Sequence, residues 1–367
     1  MKAVGSICKW SYYLAILPVV VGVCAWQGWA WWSWAQSPPM AGSSPNAATE
    51  KAVQIQIPSG TAAQQIGEDL EAAGLIRSSY AWRLWTYWLR LHDKQGGYKA
   101  GTYTLSPAQP LPAIAEKIWT GEVMQLSFTI PEGWSLQQMA TYFETLGFFK
   151  AQDFLAAASQ IPKQQFPWLP DELPHLEGYL FPDTYQLPSD RVSPQQVIQQ
   201  MLKRFEQVAL PIYEQQKNQT KLSIDEWVTL ASIVEKEAVI PEERPLIAGV
   251  FTQRLQRGMK LETDPTVEYG LGIRQTADQP LTYAQVGTAS PYNTYLNPGL
   301  PPTPIASPGV ASLKATLNPE NTDYLFFVAR YDGTHIFSKT LEAHEAAKNA
   351  VRQQRQTQQQ ASPSPSP

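Results

Sequence analysis

The chain has 367 residues, a formal net charge of −4 and only two cysteines. This small negative charge gives no electrostatic footprint for nucleic acid, which we therefore exclude as a partner. Cys8 and Cys24 both lie in or beside an apolar N-terminal stretch, so the rest of the chain has no disulfide and no thiolate metal site. The four histidines show no zinc-binding spacing, and no phosphate-binding or nucleophile-elbow motif is present. We predict neither a metal nor a cofactor.

Residues 12–34 predict a transmembrane helix, because they are almost wholly apolar and would extend about 35 Å as a helix. Lys2 and Lys9 precede this stretch and no acid does, which places residues 1–11 in the cytoplasm and the bulk of the chain outside it. A cleaved signal peptide is the alternative, but the run is long for one and lacks a clear cleavage site. We predict an uncleaved single-pass protein of the bacterial inner (plasma) membrane, with its bulk on the periplasmic, extracytoplasmic side.

The remaining chain divides by composition. Residues 35–50 are rich in Pro, Ser, Gly and Ala and predict a flexible linker, whereas the polar residues 353–367 predict a disordered tail. The stretch between them is long enough for two domains, which we place at 51–124 and 125–352.

The two domains share a repeated pattern. The sequence IPSG at 57–60 recurs as IPEG at 130–133, and Gly74 recurs in the same register as Gly147. Each copy predicts a strand, a turn at the first glycine and an amphipathic helix that ends near the second. In the first copy a second helix (80–91) and a strand (101–105) follow. This β-α-α-β order resembles a LysM-like module, a class that binds N-acetylated glycans; a spacer or packing domain is the alternative. We predict an α+β fold with a small LysM-like subdomain and a larger α+β catalytic domain.

One helix of the larger domain has a carboxylate on its apolar face. Ser223 and Glu226 form a capping-box pattern that marks the start of the helix. At about 100° per residue, Glu235 falls within the apolar face and Glu237 points to roughly the opposite side. Burial favours the protonated form of a carboxylate, the form that a glycosidic leaving group requires. The alternative is a helix end at which Glu235 reaches solvent or pairs with Lys236 or an arginine.

Other dense motifs flank this helix, and a hairpin follows them. The hairpin has strands at 324–329 and 334–337 with its turn at Asp332-Gly333. The motifs are LEGYLFPDTY at 176–185, LETDPTV at 261–267, SPYNTY at 290–295, GLPP at 299–302 and IASPG at 305–309.

With these motifs, the chain resembles the endolytic murein transglycosylases of the YceG-like family over about residues 53–351. LASIVEKEA at 230–238, DPTV, SPYNTY with GLPP, and HIFSKTLEAH at 335–344 occur in the family's order and spacing. The resemblance implies cleavage of peptidoglycan strands between N-acetylmuramic acid and N-acetylglucosamine, within the strand, with a 1,6-anhydromuramic end. The family's catalytic glutamate corresponds to Glu235. Glu262 stands where the family has Gln, and Ser307 where Asn is usual. Expected partners are glycan strands and cell-wall synthases (penicillin-binding proteins), with termination of nascent strands as the role.

A lytic transglycosylase needs only one acid, because the attacking 6-hydroxyl is already part of the substrate. We predict Glu235 as general acid and base. Asp264 could orient a sugar or stabilise oxocarbenium-like charge, or simply cap a turn; Glu177 and Asp183 could bind hydroxyls or cap loops. Tyrosines could form a stacking floor, and Asn293 could bind an N-acetyl group. The predicted substrate-binding residues are Glu177, Tyr179, Asp183, Asp264, Tyr292, Asn293 and Tyr295.

Two other functions fit parts of this pattern. A non-catalytic peptidoglycan-binding scaffold of the cell-wall synthesis machinery would have the same anchor and glycan module, but it would not need the acid at Glu235. A hydrolytic muramidase would need a second carboxylate about 5–9.5 Å from the first, which Asp264 or Glu177 could provide.

Overall fold

The computed structural model describes residues 2–40, 52–93, 96–188, 192–276, 279–330 and 332–361. The chain forms two compact units: Met1–Leu126 with Gln186–Arg191, and Ser127–Tyr185 with Val192–Pro367. The domains 51–124 and 125–352 stay predictions, since compactness alone does not show independent folding. Most of the predicted linker (41–50) and the last six residues of the predicted tail lie outside the described residues.

The N-terminal helix α1 (Lys2–Gln36) contains the stretch 12–34 that we predicted to span a membrane. Among the described residues, no helix is long and apolar enough to cross a membrane. The predicted transmembrane helix is therefore not confirmed.

The first unit continues with a β-α-α-β arrangement: β1 (Val53–Ile57), α2 (Ala63–Ala72), α3 (Ser79–His92) and β2 (Gly101–Leu105), followed by α4 (Leu111–Thr120). The two strands pair antiparallel from Val53 with Leu105 to Ile57 with Gly101, which confirms the predicted element order. Trp82 and Tyr103 are fully buried at the centre of this unit's core.

Strand β3 (Gln125–Thr129) pairs with β4 (Thr184–Pro188), and β5 (Phe326–Ala329) pairs antiparallel with β6 (His335–Ser338), which confirms the predicted hairpin. The remaining elements are helical. They are α5 (Leu136–Thr145), α6 (Ala151–Ala158), α7 (Pro194–Val208), α8 (Leu210–Gln216), α9 (Ile224–Glu237), a 3₁₀ turn (Pro241–Glu243), α10 (Arg244–Gln256), α11 (Asp264–Leu271), α12 (Tyr283–Val286), α13 (Val310–Leu317) and α14 (Leu341–Ala361).

The sequence repeat is also a structural repeat. Helices α2 and α5 begin and end at corresponding positions of the two copies. The first glycines, Gly60 and Gly133, have φ angles of 85° and 75°, and the second glycines, Gly74 and Gly147, have 70° and 72°. Because positive φ favours glycine, both turns of each copy depend on it.

Helix α14 extends to Ala361, into the segment predicted as a disordered tail. The segment is rich in Gln, Arg and Ala, which are good helix formers, so a polar composition is compatible with a helix here.

Candidate active site

Glu235 lies in the last turn of α9. The predicted capping box starts this helix: Glu226 N–H donates to Ser223 Oγ at 3.2 Å, and Ser223 N–H donates to Glu226 Oε2 at 2.8 Å. Trp227 fixes the helix to α13 through a 2.9 Å hydrogen bond from Nε1 to the carbonyl of Leu313. The Glu235 side chain is 6% exposed, as its position on the apolar face predicted.

Three donors converge on the Glu235 carboxylate. Oε2 accepts from the hydroxyl of Ser312 at 2.7 Å and from the backbone N–H of Gly309 at 3.0 Å. Oε1 accepts from Nη2 of Arg244, at a longer 3.3 Å, so the alternative of pairing with an arginine is also realised. Arg244 in turn donates from Nε to Ser312 Oγ at 3.1 Å. Oε1 is therefore the less engaged of the two carboxylate oxygens.

Two loops meet beside Glu235. The 305–309 loop is held to α9 by the Ser232 hydroxyl, which accepts from the N–H of Ile305 at 3.0 Å. It is joined to the turn of the second repeat by two backbone bonds of 2.8 Å, from Gly133 N–H to the Ser307 carbonyl and from Ser307 N–H to the Trp134 carbonyl. A β-carbon on Gly133 would lie 3.7 Å from Glu235 Cγ. The turn of the second repeat copy, at Gly133, therefore lies next to the side chain of Glu235.

Glu132 is a second carboxylate of this site that our sequence interpretation missed. It is solvent-exposed, and its carboxylate lies so close to Gly309 Cα that a β-carbon there would be 1.9 Å from Oε1. Partial burial and the negative charge of Glu235 raise the pKa of Glu132, against the opposing effect of Arg244. The sequence repeat could have pointed to Glu132, since the two copies IPSG and IPEG differ at this position alone.

A cavity of about 720 Å³ is lined by Gly133 and Lys236, two neighbours of Glu235, although Glu235 itself is not among the lining residues. Gly133 and Ile305 line it, together with the start of α5 and the tyrosines Tyr269 and Tyr292. The two rings lie edge to face, with centroids 4.8 Å apart. This combination of polar groups and aromatic faces is typical of sites that bind small molecules and sugars.

Glu177 is buried within the wall of this cavity. Its carboxylate accepts from the N–H of Leu136 at 3.0 Å and from the hydroxyl of Tyr269 at 3.0 Å. Burial raises the pKa of Glu177 to about 7, although both hydrogen bonds lower it. Only 2% of the residue is exposed, so it holds the start of α5 and Tyr269 in place.

A second cavity, of about 740 Å³, contains two other predicted residues, Asp264 and Tyr295. Tyr295 donates its hydroxyl to Asp264 Oδ1 at 2.7 Å. Asp264 is the first residue of α11, preceded by Thr263 at the N-cap. The cavities share part of their lining, namely Lys236, Pro265, Glu268 and Arg274.

The other predicted binding residues lie away from the cavities. Tyr179 is fully buried and donates to Asp225 Oδ1 at 2.8 Å. Asn293, 1% exposed, uses its side-chain amide on the carbonyls of Val286 and Thr288. Asp183 accepts from Arg204 Nε at 2.6 Å. In this structure the polar groups of the three residues bind other parts of the fold, and their role in substrate binding stays a prediction.

The two departures from the family pattern have different environments. Glu262 has a φ of 52°, and its carboxylate accepts from Arg254 at 3.1 Å at the edge of the second cavity. Ser307 is fully buried, and its Oγ has no hydrogen-bond partner among the described residues. Its backbone, rather than its side chain, connects the loops beside Glu235.

Glu237, which the helical wheel places roughly opposite the apolar face, is covered by another part of the protein. It lines the second cavity, near Asp264 and Glu268. Burial and those two carboxylates raise its pKa to about 8. The wheel was misleading because α11 covers this side of the helix.

This environment predicts a pH-dependent stability. Between pH 4.5 and about 8 the folded chain keeps a proton on Glu237 that the unfolded chain releases, so the free energy of unfolding should fall as pH rises. Glu237→Gln removes this titration. The decrease in the free energy of unfolding between pH 5 and pH 8 should therefore be smaller by a few kcal/mol. Urea unfolding at pH 5 and pH 8 measures the difference. The variant Glu242→Gln, at an exposed position, should show the same change of the free energy of unfolding with pH as the parent protein. An equal change with pH for the parent and Glu237→Gln would contradict the prediction.

The fold and site define an α+β protein in which a covered glutamate, Glu235, accepts three hydrogen bonds close to a cavity with aromatic walls. A family model described as the YceG-like family matches residues 55–350. This chain therefore belongs to the YceG-like family, which confirms the resemblance seen in the sequence.

The names of individual similar proteins are consistent with this family assignment. A protein of Bacillus subtilis (strain 168) named "Endolytic murein transglycosylase" is 34% identical over 309 residues, covering 81% of this chain and 84% of that one. A protein of the same name from Streptococcus pneumoniae serotype 2 (strain D39 / NCTC 7466) is 31% identical over 330 residues, covering 82% of this chain but 58% of that protein. The 2.6 Å crystal structure of a yceG-like protein from Listeria monocytogenes matches with a TM-score of 0.55 and 34% identity, covering 81% of this chain and 99% of that one.

Proposed function

We propose that this chain is an endolytic lytic transglycosylase of peptidoglycan, with Glu235 as its general acid and base. The family and the names of the relatives support the reaction class. The observation that carries the residue assignment is the covered Glu235 carboxylate, fixed by three donors and adjacent to Gly133 and Lys236, which line the cavity. A scaffold protein would have no use for an acid in such a position.

The proposed reaction has two proton transfers. Protonated Glu235 gives its proton to the glycosidic oxygen as the bond from that oxygen to C1 of the muramic residue breaks. The 6-hydroxyl oxygen of the same residue then bonds to C1, and its proton returns to Glu235. The products are a 1,6-anhydromuramic end and a free hydroxyl on the departing glucosamine. Gly309 and Ser312 hold Oε2 throughout, which keeps Oε1 aimed at the substrate.

Glu132 gives specific support to one alternative, a hydrolytic muramidase. Such an enzyme needs a second carboxylate to activate water or attack the sugar. Glu132 is exposed and electrostatically coupled to Glu235, which makes it a better candidate than Asp264 or Glu177. We favour the transglycosylase because the intramolecular 6-hydroxyl makes that second role unnecessary.

Digestion of peptidoglycan in heavy-oxygen water separates the two reactions. We expect fragments whose new ends are 1,6-anhydro sugars without label, measured by mass spectrometry. The Glu132→Gln variant should give the same ends, at a reduced or unchanged rate. Labelled reducing ends that disappear in Glu132→Gln would instead identify a hydrolase that uses both carboxylates.

We also propose that the enzyme works at the outer face of the cytoplasmic membrane, held there by its N-terminal helix. The exposed apolar side chains of α1 and the lysines before them support this location. Protease added to spheroplasts should digest the chain beyond Gln36, whereas protection of the second unit would contradict the proposal. By cutting within new strands, the enzyme would end their growth beside cell-wall synthases such as penicillin-binding proteins. In this proposal the β-α-α-β subdomain acts as a LysM-like module and binds the glycan strand.

A further inference from the structure

Helix α3 of the first unit is apolar on two opposite sides. One side, with Ala81 and Trp82, is buried in the core of the unit. The other side carries large side chains that remain exposed in the described structure, including Tyr87 at 65% and Leu91 at 58%. These residues, which we call the aromatic face of α3, are Tyr80, Leu84, Tyr87, Trp88 and Leu91.

The spacing of these residues is that of one helix face. At about 100° per residue they fall within a single sector of about 100°, opposite the buried side. The solvent side of a helix in a globular protein is normally polar, and a contiguous apolar patch marks an interaction site. The aromatic face therefore needs an occupant.

The aromatic face continues into the tryptophan-rich end of α1. The rings of Trp31 and Tyr80 lie with centroids 5.8 Å apart, and those of Trp32 and Trp85 6.3 Å apart. Beyond this contact α1 exposes Trp26 and further apolar side chains back to Ile16. An exposed apolar helix and the aromatic face thus form one continuous surface.

The charged residues within α3 itself are basic, whereas two carboxylates, Glu71 and Asp93, lie at its two ends. Helix α3 contains Arg83, Arg90 and His92 and no carboxylate. Tyrosine and tryptophan concentrate where a lipid bilayer meets water, and arginine next to them attracts anionic headgroups. The composition therefore fits a membrane surface better than the polar glycan that the second unit is proposed to cut.

We propose that the aromatic face of α3 docks on the interfacial region of a bilayer that contains anionic lipid. The rings enter the headgroup region, and Arg83 and Arg90 meet phosphates. Docking sets the height and orientation of the first unit above the membrane, and the proposal rests on the membrane location proposed above. This proposal concerns position and does not depend on the catalytic assignment.

Position-specific fluorescence in the full-length chain tests the docking. Cys8 and Cys24 are replaced by serine, and a single cysteine, Tyr87→Cys, is labelled with an environment-sensitive dye and reconstituted in vesicles of phosphatidylcholine with phosphatidylglycerol. The matched control is Glu68→Cys, on the side of α2 away from the face that packs on Trp82 through Gly67. Vesicle attachment through α1 is common to both proteins, so it does not affect the comparison.

We expect lipid-borne quencher to remove about half of the emission at position 87 and little at position 68, with a blue shift at position 87 only. Replacing Arg83 and Arg90 by glutamine should reduce quenching in vesicles with phosphatidylglycerol and leave it unchanged in phosphatidylcholine alone. Equal quenching at the two positions would overturn the proposal. Shielding of position 87 from an aqueous quencher without quenching from lipid would also overturn it and indicate a protein occupant.

Discussion

Replacing Glu235 by glutamine should reduce peptidoglycan cleavage by a factor of about 10²–10⁴, the usual contribution of a general acid and base. The amide cannot give a proton to the glycosidic oxygen. It also offers one acceptor oxygen where the carboxylate offers two, so its NH₂ group must face either Arg244 or the pair Gly309 and Ser312, all of which are donors. Release of soluble fragments from purified sacculi, followed by mass spectrometry, measures the loss.

Two further variants make the result interpretable. Glu235→Asp keeps an acid among the same donors and should retain measurable activity, although the shorter side chain misplaces it. Glu237→Gln should stay close to the parent enzyme at neutral pH, because a carboxyl with a pKa of about 8 is already protonated there. Thermal unfolding followed by circular dichroism checks that each variant folds. Cleavage by folded Glu235→Gln within tenfold of the parent would show that another group is the acid.

Replacing Gly178 by alanine should destabilise the second unit by about 3–5 kcal/mol, as overpacking and backbone strain act together. Gly178 has a φ of 84°, and a β-carbon there would lie 2.4 Å from Pro304 Cβ and 3.0 Å from Val228 Cγ1. The close approach brings the segment after Glu177 against α9 and the loop that leads to Gly309. Urea unfolding at pH 6 measures the change in the free energy of unfolding.

Gly147→Ala is the matched control. Its φ of 72° is similar, but no atom lies within 4 Å of the added carbon. Only the backbone strain remains, so we expect a loss of about 1 kcal/mol. Similar losses for the two variants would mean that the chain relaxes around Gly178 and that the close packing there is unimportant.

Features that depend on neighbouring residues were predictable from the sequence. The capping box set the start of α9, the repeated glycines set the ends of α2 and α5, and the Asp332-Gly333 turn located the β5–β6 hairpin. The apolar periodicity placed Glu235 on the covered face. Each of these signals acts within about one turn of helix or one hairpin.

Contacts between distant segments were not predictable in this way. Glu132 reaches the site only because the 130–134 turn is tied to the 305–309 loop. Tyr179 and Asn293 belong to motifs that surround the cavities, yet their polar atoms are used within the fold. Glu237 was misjudged because the wheel describes one helix and not the neighbour that covers it.

The donors that hold Glu235 come from distant parts of the chain. Arg244 is 9 residues away, whereas Gly309 and Ser312 are 74 and 77 residues away. No local fragment around α9 contains the complete set, so the acid becomes oriented only when the helices and loops of the second unit have come together. We therefore expect a newly made or partly unfolded chain to leave intact the polymer that the folded chain is proposed to cut.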